Sequence, residues 1–547
     1  MTGQSLTVIV HAPKMARCVV RLLGAAALAA ASLGATAPAR ADEFVDRVNG
    51  FFESIRQDRR SDPVILRALA AMEDPPAGLR DPERAALLPA GSSGWDAIAA
   101  WAAGDAQGAV LAAIHEVGRD PGEQRPMAFG QPYGLAELGS TAEQIELIQA
   151  GLYTDLGDPP LLSAAQHLYL ERFDHAACLV HVEATRRASE GDAAGALELL
   201  ADWIGFARQI ADREFHEEKA WAFDAMDLAV RRIRDVVYGD FRAERTLDAP
   251  ALKGAIDRIQ DEQGPLSTDR IQLPRADFIG VEQLIATVMT ARGRVRPEVF
   301  APTMARLAAT DRPLRLFGEA ARWESVAESH VDWFAANDAL ASLRNDYAFR
   351  WQRDRTDPLL AQPYVVENFT ASAGFRDAVA VVTRSLPDMR DLFTKRLLLR
   401  VETVGSRGAL GLVGFYYETH AYPLDLSAIR PRYVRELEGD PFAQPSQGGR
   451  RPPLTFFVPI RDTKDRFSDR QTPPPHEISV LTPDAPNVMI SLRDDQFVLY
   501  SVGPDGARQW AEEVQNTADA PAGRDYLLWP PVMSIVRDSL AQSGDFN

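Results

Sequence analysis

Apolar residues recur every three or four positions from residue 42 to about 385. That is the period of a helix with one buried face. The runs 160–187 and 193–237 show it most plainly. In the second, Leu197, Leu200, Ile204, Ala207 and Ile210 fall on one side. Prolines gather between such runs, as in Glu73-Asp74-Pro75-Pro76 and Gly157-Asp158-Pro159-Pro160, where they mark loops or first turns. The pattern predicts a mainly α N-terminal region of irregular helical hairpins, read as 42–250 and 251–385. Two stretches echo one another, GDAQGAVL (104–111) and GDAAGALEL (191–199). Each sits between helical runs, as the turn of a hairpin would. Their separation does not fit the period of a tetratricopeptide array, so an irregular helical region is expected.

The character changes after about residue 386. A last helix, 389 to about 420, carries Gly405, Gly408, Gly411 and Gly414. Each glycine weakens an isolated helix by roughly 1 kcal/mol. Either close packing against a neighbour or a break near Gly405-Ser406 follows. Strand candidates come next at 454–460, 477–481, 488–492 and 497–502, separated by turn residues such as 483–487 and 493–495. They predict a small antiparallel sheet after the helix. The fold class expected is therefore mainly α, followed by a small α+β domain over 386–547. Phe415, Tyr416, Tyr417, Tyr422 and Trp529 would pack the helix on the sheet.

A chain of 547 residues exceeds one ordinary core, so two or more domains are expected. The formal charge of −18 argues against nucleic-acid binding, which leaves a basic footprint, and against docking on anionic lipid. The first 41 residues read as a signal peptide. Lys14, Arg17 and Arg21 precede the apolar run 22–37, and Ala39-Arg40-Ala41 makes a small-x-small cleavage site. The run is shorter than the ~20 residues that span a bilayer. Translation from Met1 or Met15 would serve equally. The expectation is an exported, secreted or periplasmic protein with no membrane span after cleavage. Cys178 is then the sole cysteine, so the fold relies on burial.

The densest polar constellation is HLYLERFDHAACLVHVE (167–183). His167, Glu171, Asp174, His175, Cys178 and His181 fall near helical spacing and could offer nitrogen, oxygen and sulfur to zinc or iron. One helix rarely completes a tetrahedral site, so His216-Glu217-Glu218 or His115-Glu116 would have to contribute. A metal- or carboxylate-dependent hydrolase in the helical region is one reading. The other makes Cys178 a small buried apolar residue. No Gly-x-Ser-x-Gly elbow, His-Glu-x-x-His helix or Gly-Lys-Ser/Thr phosphate loop occurs. Asp462, Asp465 and Asp469 read as a solvated charged loop. His476, behind three prolines, reads as a surface residue.

Four segments stand in a fixed order near the C-terminus: YYETHAYPLDLSAI (416–429), YVRELEGDPF (433–442), FVLYSVGPDG (497–506) and GRDYLLWPP (523–531). They resemble the C-terminal half of the major pseudopilin of type II secretion. Exported proteins of planctomycete type carry the same ending behind a long helical region. The resemblance covers 386–547, with 443–496 as an insertion where the family has a short hairpin. It departs from the family in lacking the prepilin peptidase site and the exposed polymerisation helix. The globular head alone is implied, without pilus assembly. In the pseudopilin family the loop after the strand that ends in Ser-x-Gly-x-Asp-Gly binds calcium. Carried over, this implies Asp505 and Asp525 as ligands, with backbone carbonyls around Ser501 and Gly503. Plain turn chemistry is the competing reading of Gly503-Pro504-Asp505-Gly506, with Pro fixing φ and Asp bonding nearby backbone. The function expected is non-catalytic: a structural or protein-interaction role with a protein partner or envelope component.

Overall fold

In a computed structural model the described residues are 43–544, apart from 120–126, 244, 262–263, 291–292, 310–315, 464–473 and 483–486. The expected signal segment, 1–41, lies outside them, as do Asp465 and Asp469. The described chain is mainly helical, with short strands concentrated after residue 454.

Three helices, Tyr169–Ser189, Ala193–Ile210 and His216–Arg242, follow one another through short connections and pack side by side. The first two form the hairpin expected at GDAAGALEL. Asp192 caps the second, its Oδ1 accepting from the Gly195 N–H at 2.9 Å. The other echo differs. Around Gly104 the helices Trp95–Ala102 and Asp105–Gly118 meet in an elbow of 61°, not a hairpin. Helix 105–118 then runs onto helix 193–210, where two glycines touch. A Cβ on Gly118 would stand 1.9 Å from Asp202 O, and one on Gly205 2.1 Å from Gly118 O.

The late helix spans Arg390–Thr419 without a break. It lies along helix 216–242 on one side and under strands Val498–Ser501 and Tyr526–Trp529 on the other. The glycine stripe makes this approach possible. A Cβ on Gly405 would sit 2.3 Å from Leu528 Cδ2, and one on Gly414 2.3 Å from Tyr433 Cε1. The break near Gly405 is therefore absent, because close contacts replace what the glycines cost the helix. Polar groups tie the three elements together. Arg234 pairs with Glu402 and donates to Ser406 Oγ at 2.7 Å. Tyr526 Oη donates to Glu402 Oε1 at 2.6 Å.

The sheet is more elaborate than one antiparallel unit. Strands Thr455–Phe457, 498–501 and 526–529 form one antiparallel sheet with 498–501 at its centre. A second sheet joins His476–Val480 to Val488–Leu492 antiparallel and to Glu513–Val514 parallel. The central strand is buried on both faces. Leu499 belongs to the large core around the long helix, whereas Val498 and Tyr500 face a smaller core with Ile478, Val480 and Leu492. This explains why FVLYS reads as an unbroken apolar run: a strand covered on both sides loses its alternation. The large core is continuous from Ile65 to Trp529.

Two expectations need correction. The strand expected over 454–460 stops at Phe457, because Pro459 opens the helix Pro459–Thr463. His476 is 8 % exposed, not a surface residue. It opens a strand, and its ring meets Phe457 edge-on at 5.0 Å. Tyr416, Tyr422 and Trp529 join the helix to the sheet as expected, whereas Tyr417 stacks on Phe241 of helix 216–242 at 6.0 Å. Tyr416 packs on Tyr422 at 4.7 Å, Tyr422 on Phe497 at 5.5 Å, and Phe497 stacks on Trp529 at 5.1 Å.

Candidate functional site

The polar stripe of helix 169–189 and its flank does not converge. His167 is buried among Tyr133, Tyr169 and Phe215, and its Nδ1 lies 3.2 Å from Thr154 Oγ1. His175 lies 3.8 Å from Asp74. Asp174 accepts from Trp221 Nε1 at 2.8 Å. Cys178 is buried, and burial with the charges of Asp174 and Asp81 pushes its thiol up to about 12, which keeps it protonated. His181 is buried with neither ring nitrogen hydrogen-bonded. Burial, with Arg232 and Arg231 nearby, pushes it down to about 3, so it stays neutral. Among the described residues, no three His, Cys, Asp or Glu side chains form a group able to hold a metal ion. His115 is drawn instead to Asp202, at 2.6 Å.

Glu218, at the start of helix 216–242, sits in a cage that sequence reading missed. Tyr133 Oη donates to its Oε2 at 2.7 Å, Arg213 Nε to its Oε1 at 2.8 Å, and the Phe215 N–H to its Oε2 at 3.1 Å. Tyr169 Oη also donates to Oε1. Arg213 is itself held between the rings of Tyr133 and Phe52, at 4.1 and 4.3 Å. Burial pushes the Glu218 carboxyl up, but Arg213, His167 and the donors outweigh it and hold it at about 2. Every lobe is filled, so the cluster has the chemistry of a structural clasp. The spacing Phe215-x-x-Glu218, a carboxylate three residues into a helix, was the available signal.

At the C-terminal turn the four residues singled out lie close together. Gly503 has φ +71° and lets the turn press onto the segment before the last strand, since a Cβ there would sit 2.3 Å from Arg524 O. Asp505 reaches across: its Oδ2 accepts from the Gly523 N–H at 2.7 Å and its Oδ1 from Ala507 N–H at 2.9 Å. The turn chemistry expected of Asp505 is thus present. Ser501 donates to Asp440 Oδ1 at 2.6 Å, and Asp440 Oδ2 accepts from the Val502 N–H at 3.0 Å. In the sequence Asp440 stands only within the segment YVRELEGDPF, and its place beside Ser501 emerges from the fold.

Asp525 differs from these. It is 0 % exposed. Its Oδ2 accepts from the Ala511 N–H at 2.7 Å and the Gln509 N–H at 3.2 Å, but its Oδ1 has no hydrogen-bond partner. Burial pushes this carboxyl up to about 7, helped by the charges of Asp505 and Asp440 and opposed by the two N–H donors. Burial raises Asp440 as well. A buried, unfilled carboxylate oxygen beside a second carboxylate and a tight turn suits a hard cation, which takes several oxygens at about 2.3–2.6 Å. Asp505, Asp525 and the carbonyls around Ser501 and Gly503 are oxygen donors of the kind such an ion takes, though both Asp505 oxygens already accept backbone N–H groups. No family model, curated protein or solved structure matches this chain.

Proposed function

We propose that this is an exported, non-catalytic structural or protein-interaction protein whose pseudopilin-like C-terminal part is stiffened by calcium. Asp505 and Asp525 supply the carboxylates, and the carbonyls around Ser501 and Gly503 complete the set. When bound, the ion neutralises two carboxylates that otherwise repel and fixes the turn to the segment before the last strand. The surface made by that turn is then rigid for a protein partner or envelope component. One observation supports this reading above the others: Asp525 Oδ1 is buried without a donor while neighbouring carboxylates crowd it. The hydrolase reading has no comparable support, because the stripe from His167 to His181 is dispersed among separate structural contacts.

The test is thermal unfolding of the whole signal-cleaved chain in chelator, in calcium and in magnesium. A ligand that binds only the folded state raises the melting temperature with its concentration. The expected result is a calcium-specific rise that disappears in D525N. An identical melting temperature in calcium and chelator would end the proposal.

A further inference from the structure

The second sheet ends on an open edge. Its strands stand in the order 488–492, 476–480, 513–514, so 488–492 has a neighbour on one side only. Register decides which of its groups are left over. The Ser479 and Leu481 N–H groups donate to Glu512 O and Val514 O, both at 2.9 Å, so the odd residues of strand 476–480 face strand 513–514. The even ones face the other way, where His476, Ile478 and Val480 pair with Leu492, Ile490 and Val488. Hydrogen-bonded pairs alternate along an antiparallel ladder, so the residues between them point away from it. Met489 and Ser491 therefore turn their backbone N–H and C=O outward. Among the described residues nothing hydrogen-bonds to them there.

Exposed edges are commonly blunted by a proline, a charge or a bulge. Strand Val488–Leu492 has none of these. Its inner face is already in use: Val488 and Ile490 pack on the smaller core, and Leu492 is buried in it. The outer face presents Met489, 65 % exposed, beside the exposed Ser491. Glu477 stands directly across from Ser491 on strand 476–480, exposed and without an ion pair among the described residues. The other charge on this face, Glu513, is answered by Arg524. A strand added to the edge would lie two strand spacings from 476–480, about 9.5 Å. A lysine or arginine and a glutamate together span that distance across the small Ser491.

We propose that this edge takes an added strand from a partner protein, an extended segment with an apolar residue and a lysine or arginine two positions apart. The backbone groups of Met489 and Ser491 supply the ladder, Met489 meets the apolar side chain, and Glu477 meets the cation. The two-residue spacing puts both guest side chains on that face. Charge selects this guest over a second copy of the chain. A copy paired about Ile490 would set Met489 of one strand against Ser491 of the other. That leaves Glu477 unanswered and joins two chains of formal charge −18. The inference draws neither on calcium nor on the Gly503–Gly506 turn.

The experiment follows the fluorescence anisotropy of a labelled peptide, KTVKVLVTK, titrated with the whole signal-cleaved chain in chelator. Its acidic counterpart, ETVEVLVTE, is the control. The basic peptide is expected to saturate, and the acidic one to bind about tenfold more weakly. M489P removes an outward donor that the ladder to 476–480 does not use, and weakens the basic peptide about tenfold. M489K changes only an exposed side chain and weakens it too, which covers the case of a proline variant that fails to fold. E477Q narrows the gap between the two peptides. No saturation with the basic peptide, equal binding of both, or binding unchanged in M489P and M489K overturns the proposal. So does a concentration-dependent dimer in sedimentation that M489P abolishes, which assigns the edge to a second copy. Working in chelator separates this outcome from that of the calcium reading.

Discussion

Glu218 and Asp525 are both 0 % exposed carboxylates, one in the helical region and one beside the C-terminal turn. Glu218 receives donors on both oxygens from two tyrosines, an arginine and a backbone N–H, and is held at about 2. Asp525 receives two N–H groups on one oxygen and none on the other, and is pushed up to about 7. Neither meets solvent, and burial pushes both carboxyls up. The number of donors, and whether the nearest charge is Arg213 or Asp505, decides the outcome. A filled carboxylate holds a fold together, whereas an unfilled one invites a ligand.

The largest expected effect tests the filled member. E218Q removes the partner of the fully buried Arg213, and stranding a buried charge costs about 3–5 kcal/mol. Denaturant unfolding measures it, and a loss far below that range would mean the cage is looser than its distances imply. The unfilled member should respond in the opposite direction. D525N, in chelator at neutral pH, is expected to stabilise by about 1 kcal/mol, since an amide needs no counter-charge. Its pH dependence sharpens the contrast. The folded pKa of about 7 lies above the ordinary 3.8, so the folded chain holds an extra proton between those values. Stability from this group falls as pH rises through that window, and D525N flattens the slope.

The smallest effect at neutral pH is expected from H181L, below about 1 kcal/mol, because an apolar side chain replaces an unpartnered polar one. Its signature lies in acid. His181 is held at about 3 against an ordinary 6.5, so the unfolded chain binds a proton there that the folded chain refuses. Stability falls as pH drops through that window, by up to ~1.4 kcal/mol per pH unit for one proton. H181L should unfold at lower pH than the parent, and an unchanged acid midpoint would show that other groups dominate.

Much of the architecture was legible from period alone. The helix at 390–419 and the strands at 488–492 and 498–501 emerge close to their expected bounds, because long periodic or strongly apolar segments carry clear signals. Strand 526–529 was not read as a strand, since burial on both faces leaves YLLW without alternation. Helix Val532–Ser543 was missed behind Pro530-Pro531, although a proline just before a helix start is a recognised opening signal. At the turn, Ser501, Gly503, Asp505 and Asp525 were placed by motif. That Asp440 joins them from a loop 61 residues before Ser501, and that one oxygen of Asp525 is left over, depends on tertiary packing. The stripe at 167–181 misled for a similar reason: helical spacing shows which side chains share a face, not which neighbours absorb them.

The link from Arg234 through Glu402 to Tyr526 clamps a helix of the first half to the last strand across the long helix between them. Trimming the molecule at residue 385 would leave buried Glu402 without Arg234 and bare the side of the long helix that packs on helix 216–242. The tail and the helices before it should melt together, as one calorimetric peak.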